Sequence, residues 1–330
     1  MNRSHPTIRC FVASATCAVI ASIAPLYRVA AQATRVADSL LNSGALDRAE
    51  STYYAAARVR PRDPVARWAL GRYLVSRGAP RVGATLFEEA LLFGGDKPQI
   101  TTDLAPVYLS LGMYHELAAL SPTISAGERD RARWLEAHPT RLVSPDSILT
   151  IGYKRSVVAG EMGRVAMQIN GRTVDAVIST RAQGIVVSDT GAIARKLHRF
   201  DATDNRPASR ATSTPAVADS ITVGRITFRN FPVASQSLGN KIQAVVGIDV
   251  FLRFAPTFDP RGERVTLRLA GTVATPSSGV DSYATLLSPS DLRILQNGGW
   301  ILADNPAMAR TLAEHRWTLD ARRGRIVIER

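Results

Sequence analysis

The chain has 330 residues, 45% of them apolar, and a formal net charge of +13, so it is long enough for two domains with separate cores, and disorder is excluded as the default. Its basic residues are spread along both halves and form no single stripe, which argues against a nucleic-acid-binding protein. Both cysteines, Cys10 and Cys17, lie in a segment that we expect to be removed. This excludes disulfides and thiolate metal sites from the mature protein.

Residues 1–33 have the pattern of a signal peptide. Two arginines and no acid precede an apolar stretch from Phe11 to Ala24, which is shorter than the roughly 20 residues of a membrane-spanning helix. The run Ala31-Gln32-Ala33 has the form of a cleavage site. We therefore expect an exported protein, periplasmic or secreted, with no transmembrane segment after signal removal. The alternatives are a buried N-terminal helix and a lipoprotein signal at Cys17.

An internal repeat marks residues 34–121. Gly44, Gly78 and Gly112 are 34 residues apart, and two prolines have the same spacing. This period, with small residues where helices must touch, resembles the tetratricopeptide repeat, in which each helix pair buries its apolar face on the next. The resemblance implies two well-matched pairs, a weaker third, and a concave face that binds a peptide or protein. The alternative is that the repeats only brace the second domain.

The central repeat carries the clearest packing residues. Leu70 and Gly71 stand at the close-contact position of its first helix, and Ala90 at a packing position of its second. The aromatic residues at helical spacing are predicted to belong to the core rather than to a groove. They are Tyr53, Tyr54, Trp68, Tyr73 and Phe87.

Residues 122–147 hold three prolines around one short helical stretch, Gly127 to Ala137, and are predicted to be a linker. After them the sequence changes from a helical to a β-type pattern. From 148 to 271 short β-type runs alternate with turn residues, and Asn170-Gly171 is a hairpin signal because both residues tolerate positive φ. We expect an α+β multidomain protein, with N-terminal helices and a C-terminal all-β barrel. The predicted strands are Arg164–Ile169, Thr173–Ser179, Ile185–Ser188, Asp219–Val223, Ile226–Phe228 and Arg264–Leu269.

The β-rich half resembles the retropepsin-like aspartic peptidases. The hairpin Ile169-Asn170-Gly171-Arg172-Thr173-Val174 is followed by the apolar strand Ala176-Val177-Ile178 and the loop Ser179-Thr180-Arg181-Ala182. Further on, Val245-Val246-Gly247-Ile248-Asp249 matches the family's apolar-apolar-Gly-x-Asp segment. The match covers about Val157 to Leu269, and it implies a barrel that holds an extended peptide or protein.

The sequence departs from the family at the catalytic loop. Ser179 stands for the family's catalytic aspartate and Arg181 for its glycine, while Thr180 and Ala182 remain. The reaction needs two carboxylates that share a proton about a water, and a serine hydroxyl cannot act as that base. We therefore expect a degenerate site with no catalytic residue, in a protein that binds its ligand without cleaving it.

A second candidate acid is Asp189, because Asp189-Thr190-Gly191-Ala192 spells the family's catalytic tetrapeptide. Its register is wrong: Ser179 follows Gly171 by 8 residues, the family's hairpin spacing, whereas Asp189 follows it by 18. We expect Ser188 or Asp189 to cap a helix at Ala192–Leu197. The alternatives are an active aspartic endopeptidase that uses Asp189 or an unrecognised acid pair, and a structural envelope scaffold.

The C-terminal segment repeats the sequence pattern at the end of the barrel, since Leu319–Ile328 resembles Phe258–Leu267. Residues 272–330 are therefore predicted to form a second, abbreviated half-barrel-like unit, which would give a pseudo-two-fold within the chain; a homodimer is the alternative.

Other acids and histidines suggest structural roles. Asp249 is expected to cap a helix at Val250–Phe254, and Asp259 is expected in a turn. The histidines lack metal-ligand spacing and no phosphate loop is present, so no metal or cofactor is expected.

Overall fold

The computed structural model describes residues 32–120, 123–143, 148–155, 162–194, 196–200, 213–238, 242–251, 254–268, 280–288 and 291–329. The predicted signal peptide, apart from its last two residues, lies outside these ranges. A helical array is followed by a β-barrel region, so the predicted order of helices and then strands is confirmed. None of the described helices is both long and apolar enough to cross a membrane.

Six helices in the array form three pairs. Within each pair the connecting turn contains a glycine with positive φ, namely Gly44 at 77°, Gly78 at 84° and Gly112 at 72°, which explains their regular spacing. The helices are α1 (32–42), α2 (Leu46–Val59), α3 (Pro64–Ser76), α4 (Pro80–Leu92), α5 (Lys97–Leu111) and α6 (Tyr114–Ala119).

The central pair, α3 and α4, shows why the sequence folds this way. The carboxylate of Asp63 accepts hydrogen bonds from the first backbone N–H groups of α3 and so caps it. A Cβ on Gly71 would lie 2.8 Å from the ring of Phe87, so the helices approach closely only because this residue is glycine. Of the predicted core aromatics, Tyr54 is 41% exposed and Trp68 is half-buried, whereas the other three are buried.

The predicted linker is built into both halves of the protein. Its helix α7 (Ala126–Ala137) packs on α6, and the Nη1 of Arg131 donates to the carbonyl of Val233 in the barrel at 2.9 Å. Leu135 lies in a small apolar cluster with Val217 of the barrel. This segment therefore connects the two halves through packed contacts.

The barrel region is one mixed sheet. Its strands are β1 (Arg141–Val143), β2 (Ile148–Lys154), β3 (Gly163–Ile169), β4 (Arg172–Ser179), β5 (Ile185–Ser188), β6 (His198–Arg199), β7 (Thr214–Val223), β8 (Ile226–Gln236), β9 (Ala244–Gly247), β10 (Thr257–Asp259) and β11 (Arg264–Arg268). The short helices α8 (Gly191–Ala194) and α9 (Ile248–Phe251) follow β5 and β9. β4 pairs parallel with β9, while β5 pairs antiparallel with β9 and parallel with β8.

The last part of the chain continues the same sheet. It contains β12 (Val280–Ser288), β13 (Asp291–Gln296), β14 (Gly299–Leu302), helix α10 (Pro306–Glu314), β15 (Arg316–Asp320), a 3-10 turn (Ala321–Arg323) and β16 (Arg325–Glu329). The β13–β14 hairpin turns at Asn297-Gly298, with φ of 50° and 75°, and the β3–β4 hairpin turns at Asn170-Gly171, with φ of 47° and 76°.

A local two-fold relates the hairpins β10–β11 and β15–β16. Thr257 pairs with Thr318, the residue 61 positions later, and their hydroxyls lie 2.8 Å apart. The carboxylate of Asp259 accepts from the backbone N–H of Gly262, and that of Asp320 accepts from Arg323, again 61 positions on. The tail echo seen in the sequence therefore corresponds to two hairpins with equivalent hydrogen bonds.

The helical array contacts residues 280–329 of the sheet through its inter-helix turns. Arg77, at the end of α3, donates from Nη1 to the carbonyls of Thr285 at 2.7 Å and Gly324 at 2.8 Å. A Cβ on Gly78 would collide with the carbonyl of Ala321. The indole Nε1 of Trp300 donates to a carbonyl at the end of α1 at 2.5 Å. Gly44 and Gly78, but not Gly112, thus allow a close approach of the helix turns to the sheet.

Candidate functional site

The candidate site is the loop between β4 and β5, which holds Ser179, Thr180, Arg181 and Ala182. At the end of β4, Ser179 pairs with Gly247 of β9, and the N–H of Gly247 donates to the carbonyl of Gly184 at 2.7 Å. The loop is therefore fixed at both ends by β9.

Asp249 is the carboxylate that holds this loop. Its two oxygens accept from the N–H of Gly184 at 3.0 and 2.9 Å. A Cβ on Gly247 would collide with the carbonyl of Ala182 and with the Asp249 carboxylate, so glycine is needed between them. We expected Asp249 to cap a helix at Val250–Phe254. It instead lies in the first turn of α9, and its carboxylate reaches across to the loop because β9 and β5 bring the two together.

Within the loop, the Ser179 hydroxyl accepts from the N–H of Arg181 at 3.1 Å, and Thr180 is buried. This is a local Ser turn, and it engages the Ser179 hydroxyl in a backbone hydrogen bond. The serine therefore has a structural hydrogen bond and no neighbouring base that could activate it among the described contacts.

Arg181 forms an ion pair that the sequence analysis missed. Its Nε lies 2.5 Å from Oδ2 of Asp304, which follows β14 and precedes α10. The Asp304 side chain is 5% exposed, whereas that of Arg181 is 64% exposed. The sequence contains a signal that could have identified Asp304. An Asn-Gly hairpin turn at 297–298 and an apolar strand precede it, just as Asn170-Gly171 and an apolar strand precede the loop at 179–182.

Asp189 lies elsewhere. It is exposed beyond the far end of β5, and its N–H donates to the carbonyl of Gln236 at 3.0 Å. At about 3.3 Å per residue, the four residues from Ile185 to Asp189 span roughly 13 Å along the strand. The Ser188 hydroxyl, rather than the Asp189 carboxylate, accepts weakly from the N–H of Thr190 at 3.4 Å, ahead of α8. The structure thus brings Arg181 and Asp304 together and keeps Asp189 apart from them.

The described residues contain no cluster of three or more His, Cys, Asp or Glu side chains that could hold a metal ion. The carboxylates that reach the loop in that part of the chain are Asp249 and Asp304, and each already binds a donor of the loop. Among the described residues the loop therefore brings together a hydroxyl, an arginine and two acids that already bind donors of the loop.

Comparison with known proteins finds similarity only at the level of structure. A scan of family models finds no match to this sequence, and a search of curated proteins also finds none. Among solved structures, a retropepsin-like aspartic protease from Rickettsia conorii is similar over 39% of this chain and 93% of that chain, with 17% identity and a TM-score of 0.27.

Proposed function

We propose that this chain is an exported, catalytically inactive homologue of the retropepsin-like aspartic peptidases, which binds an extended peptide or protein segment without cleaving it. The observation that carries the proposal is the Arg181–Asp304 ion pair. It occupies the loop that corresponds, in the sequence resemblance, to the catalytic loop of the family. A guanidinium held there adds positive charge where the reaction needs a shared proton between two carboxylates.

The chemistry of the loop supports inactivity. The Ser179 hydroxyl cannot replace a carboxylate as base, and it already accepts from the N–H of Arg181. Asp189, the alternative acid, lies roughly 13 Å along β5 from the loop, which is several times the 2.6–3.2 Å over which a general base acts. An endopeptidase that uses Asp189 is thus disfavoured by the strand register.

The peptide-binding part of the proposal rests on the scaffold around the loop. Asp249 and Gly247 hold it in a fixed conformation, although its acid is absent. The two-fold between Thr257 and Thr318 supports a chain that supplies both halves of a cleft by itself. We assign 272–330 to an abbreviated second unit on this basis.

We also assign the three helix pairs to tetratricopeptide-like repeats that brace the barrel. The contacts of Arg77, Gly78 and Trp300 with the second unit support bracing. The same contacts would suit a purely structural envelope scaffold. The two functions differ in that only the first includes a ligand.

A peptide library separates these functions. The purified mature chain is incubated between pH 3 and 8 with a pooled library of unstructured peptides, and both cleavage and retention are measured by mass spectrometry. We expect retention without cleavage. The double variant Ser179→Asp/Arg181→Gly tests whether restoring the acid and the tight turn restores cleavage, and Asp189→Asn is the matched control.

Three outcomes contradict the proposal in different ways. Cleavage by the unmodified chain that disappears in Asp189→Asn would make this protein an enzyme and the register argument wrong. Cleavage that survives in Asp189→Asn would indicate an unrecognised acid pair. A chain that neither retains nor cleaves any peptide would favour the scaffold.

A further inference from the structure

We propose that Arg181 selects the ligand of this site by binding a carboxylate of the extended peptide. The inference rests on the proposed peptide-binding function and names the ligand chemistry. It follows from the ion pair that holds the guanidinium, from the exposure of the Arg181 side chain, and from the charge that the loop presents.

The ion pair with Asp304 is formed at the Nε of the guanidinium. Arginine has five N–H donors, one on Nε and four on Nη1 and Nη2. Asp304 contacts Nε, and in the described part of the chain this is the one ion pair that Arg181 makes. The two Nη groups form the parallel fork that binds a carboxylate through two hydrogen bonds. The ion pair therefore leaves the recognition edge of the side chain available.

Arg181 is much more exposed than Asp304, as a ligand-binding side chain on a buried anchor should be. Asp304 is 5% exposed and Arg181 is 64% exposed, so the anchoring acid is buried while the guanidinium reaches solvent. A buried carboxylate without its cation is costly, so Asp304 restrains the orientation of Arg181 in the free protein. A restrained side chain loses less conformational entropy on binding than a free one.

The exposed charge of the loop favours an anion. Residues 179–184 contain Arg181 and no acid. Of the two acids that reach the loop, Asp304 has a side chain that is 5% exposed and Asp249 accepts from the N–H of Gly184, so the charge that the loop presents to solvent is that of Arg181. A neutral or basic peptide would gain nothing from Arg181, whereas an acidic side chain or a free C-terminus would gain two charge-assisted hydrogen bonds.

The test uses three matched pools of unstructured decapeptides: Glu-containing with an amidated C-terminus, Gln-containing with an amidated C-terminus, and Gln-containing with a free C-terminus. Retention on the immobilised mature chain is measured by mass spectrometry. We expect one of the two carboxylate pools to be enriched over the neutral pool by roughly tenfold or more, which is the strength of charge-assisted hydrogen bonds. The enriched pool identifies the source as a side chain or a C-terminus.

Variants then assign the preference to Arg181. Arg181→Gln is expected to abolish the enrichment, so that the carboxylate pool is retained no better than the neutral pool. Arg181→Lys keeps the charge beside Asp304 and is expected to keep only part of the enrichment, because an ammonium lacks the planar fork. The control is Arg172→Gln, which removes the same charge at the other end of β4, seven residues and roughly 23 Å from Ser179. It should keep the full enrichment.

The outcomes separate this inference from the function it rests on. Equal retention of all three pools, or enrichment that survives in Arg181→Gln, overturns the role of Arg181 but leaves peptide binding intact. Equal loss in Arg172→Gln would show a general charge effect and also overturn it. If no pool is retained, the proposed function fails and this inference fails with it.

Discussion

Replacing Arg77 by alanine tests whether the helices stabilise the barrel. Its Nη1 donates to two carbonyls of the second unit, those of Thr285 and Gly324, at 2.7 and 2.8 Å. Hydrogen bonds to charged groups contribute about 1.5–3 kcal/mol each. Because the site is partly exposed and water can replace the lost donor, we expect a total loss of about 2–3 kcal/mol in the free energy of unfolding.

The assay is urea unfolding followed by circular dichroism, for the helices, and by tryptophan fluorescence, to which Trp300 and Trp317 of the second unit contribute. With an m-value of about 3 kcal/mol/M, a loss of 2–3 kcal/mol lowers the midpoint by about 0.7–1 M. Arg81→Ala, an exposed arginine on α4, is the matched control. The bracing role is refuted if both variants have the same midpoint, or if only the helical signal shifts.

Two further predictions concern the dependence of stability on pH. Burial alone would raise the pKa of Asp259, but the Gly262 N–H and Arg264 outweigh it and the pKa is lowered. The carboxylate thus contributes stability at pH values above its unfolded pKa of about 3.9, and this contribution is lost as pH falls through the folded pKa. Asp259→Asn should therefore be less stable than the unmodified chain at pH 7, and the difference should shrink as pH falls below about 3.9, measured by urea unfolding; a difference that does not depend on pH would contradict this. Burial raises the pKa of Tyr153 to about 12, so stability present below pH 10 should fall as pH rises towards 12, and thermal unfolding of Tyr153→Phe should show a smaller fall than that of the unmodified chain.

The parts of the fold that local sequence patterns determine were predictable. The glycine spacing placed the turns of the helix pairs, because a positive φ is required there whatever the packing. Asn170-Gly171 placed the first hairpin of the barrel for the same reason. The strands Asp219–Val223 and Ile226–Phe228 were predicted too short. In the structure β7 and β8 are 10 and 11 residues long, because the two strands stay paired with each other from the turn out to Thr214 and Ser235.

The site was predictable only in part. The register from Gly171 to Ser179 identified the loop, and the structure places that loop at the end of β4. The partner of Arg181 could not be deduced from charge alone, because Asp304 is 123 residues further along the chain and becomes a neighbour only through the sheet. Similarly, the role of Asp249 depends on β9 lying between β4 and β5, a tertiary arrangement that helix-capping rules do not include.

The loop's supporting contacts explain how the acid could be absent without loss of the fold. Gly184, Gly247 and Asp249 hold the loop through backbone groups and one carboxylate, and none of these contacts uses the side chain at 179 or 181. Under the proposed function, a serine in place of the family's aspartate would remove the acid while the loop keeps its conformation. The positive charge of Arg181 is compensated separately by Asp304, from the other unit of the chain. Because the contacts of Gly184, Gly247 and Asp249 do not involve the side chains at 179 and 181, we expect substitutions at those two positions to change the proposed ligand preference while the loop keeps its conformation.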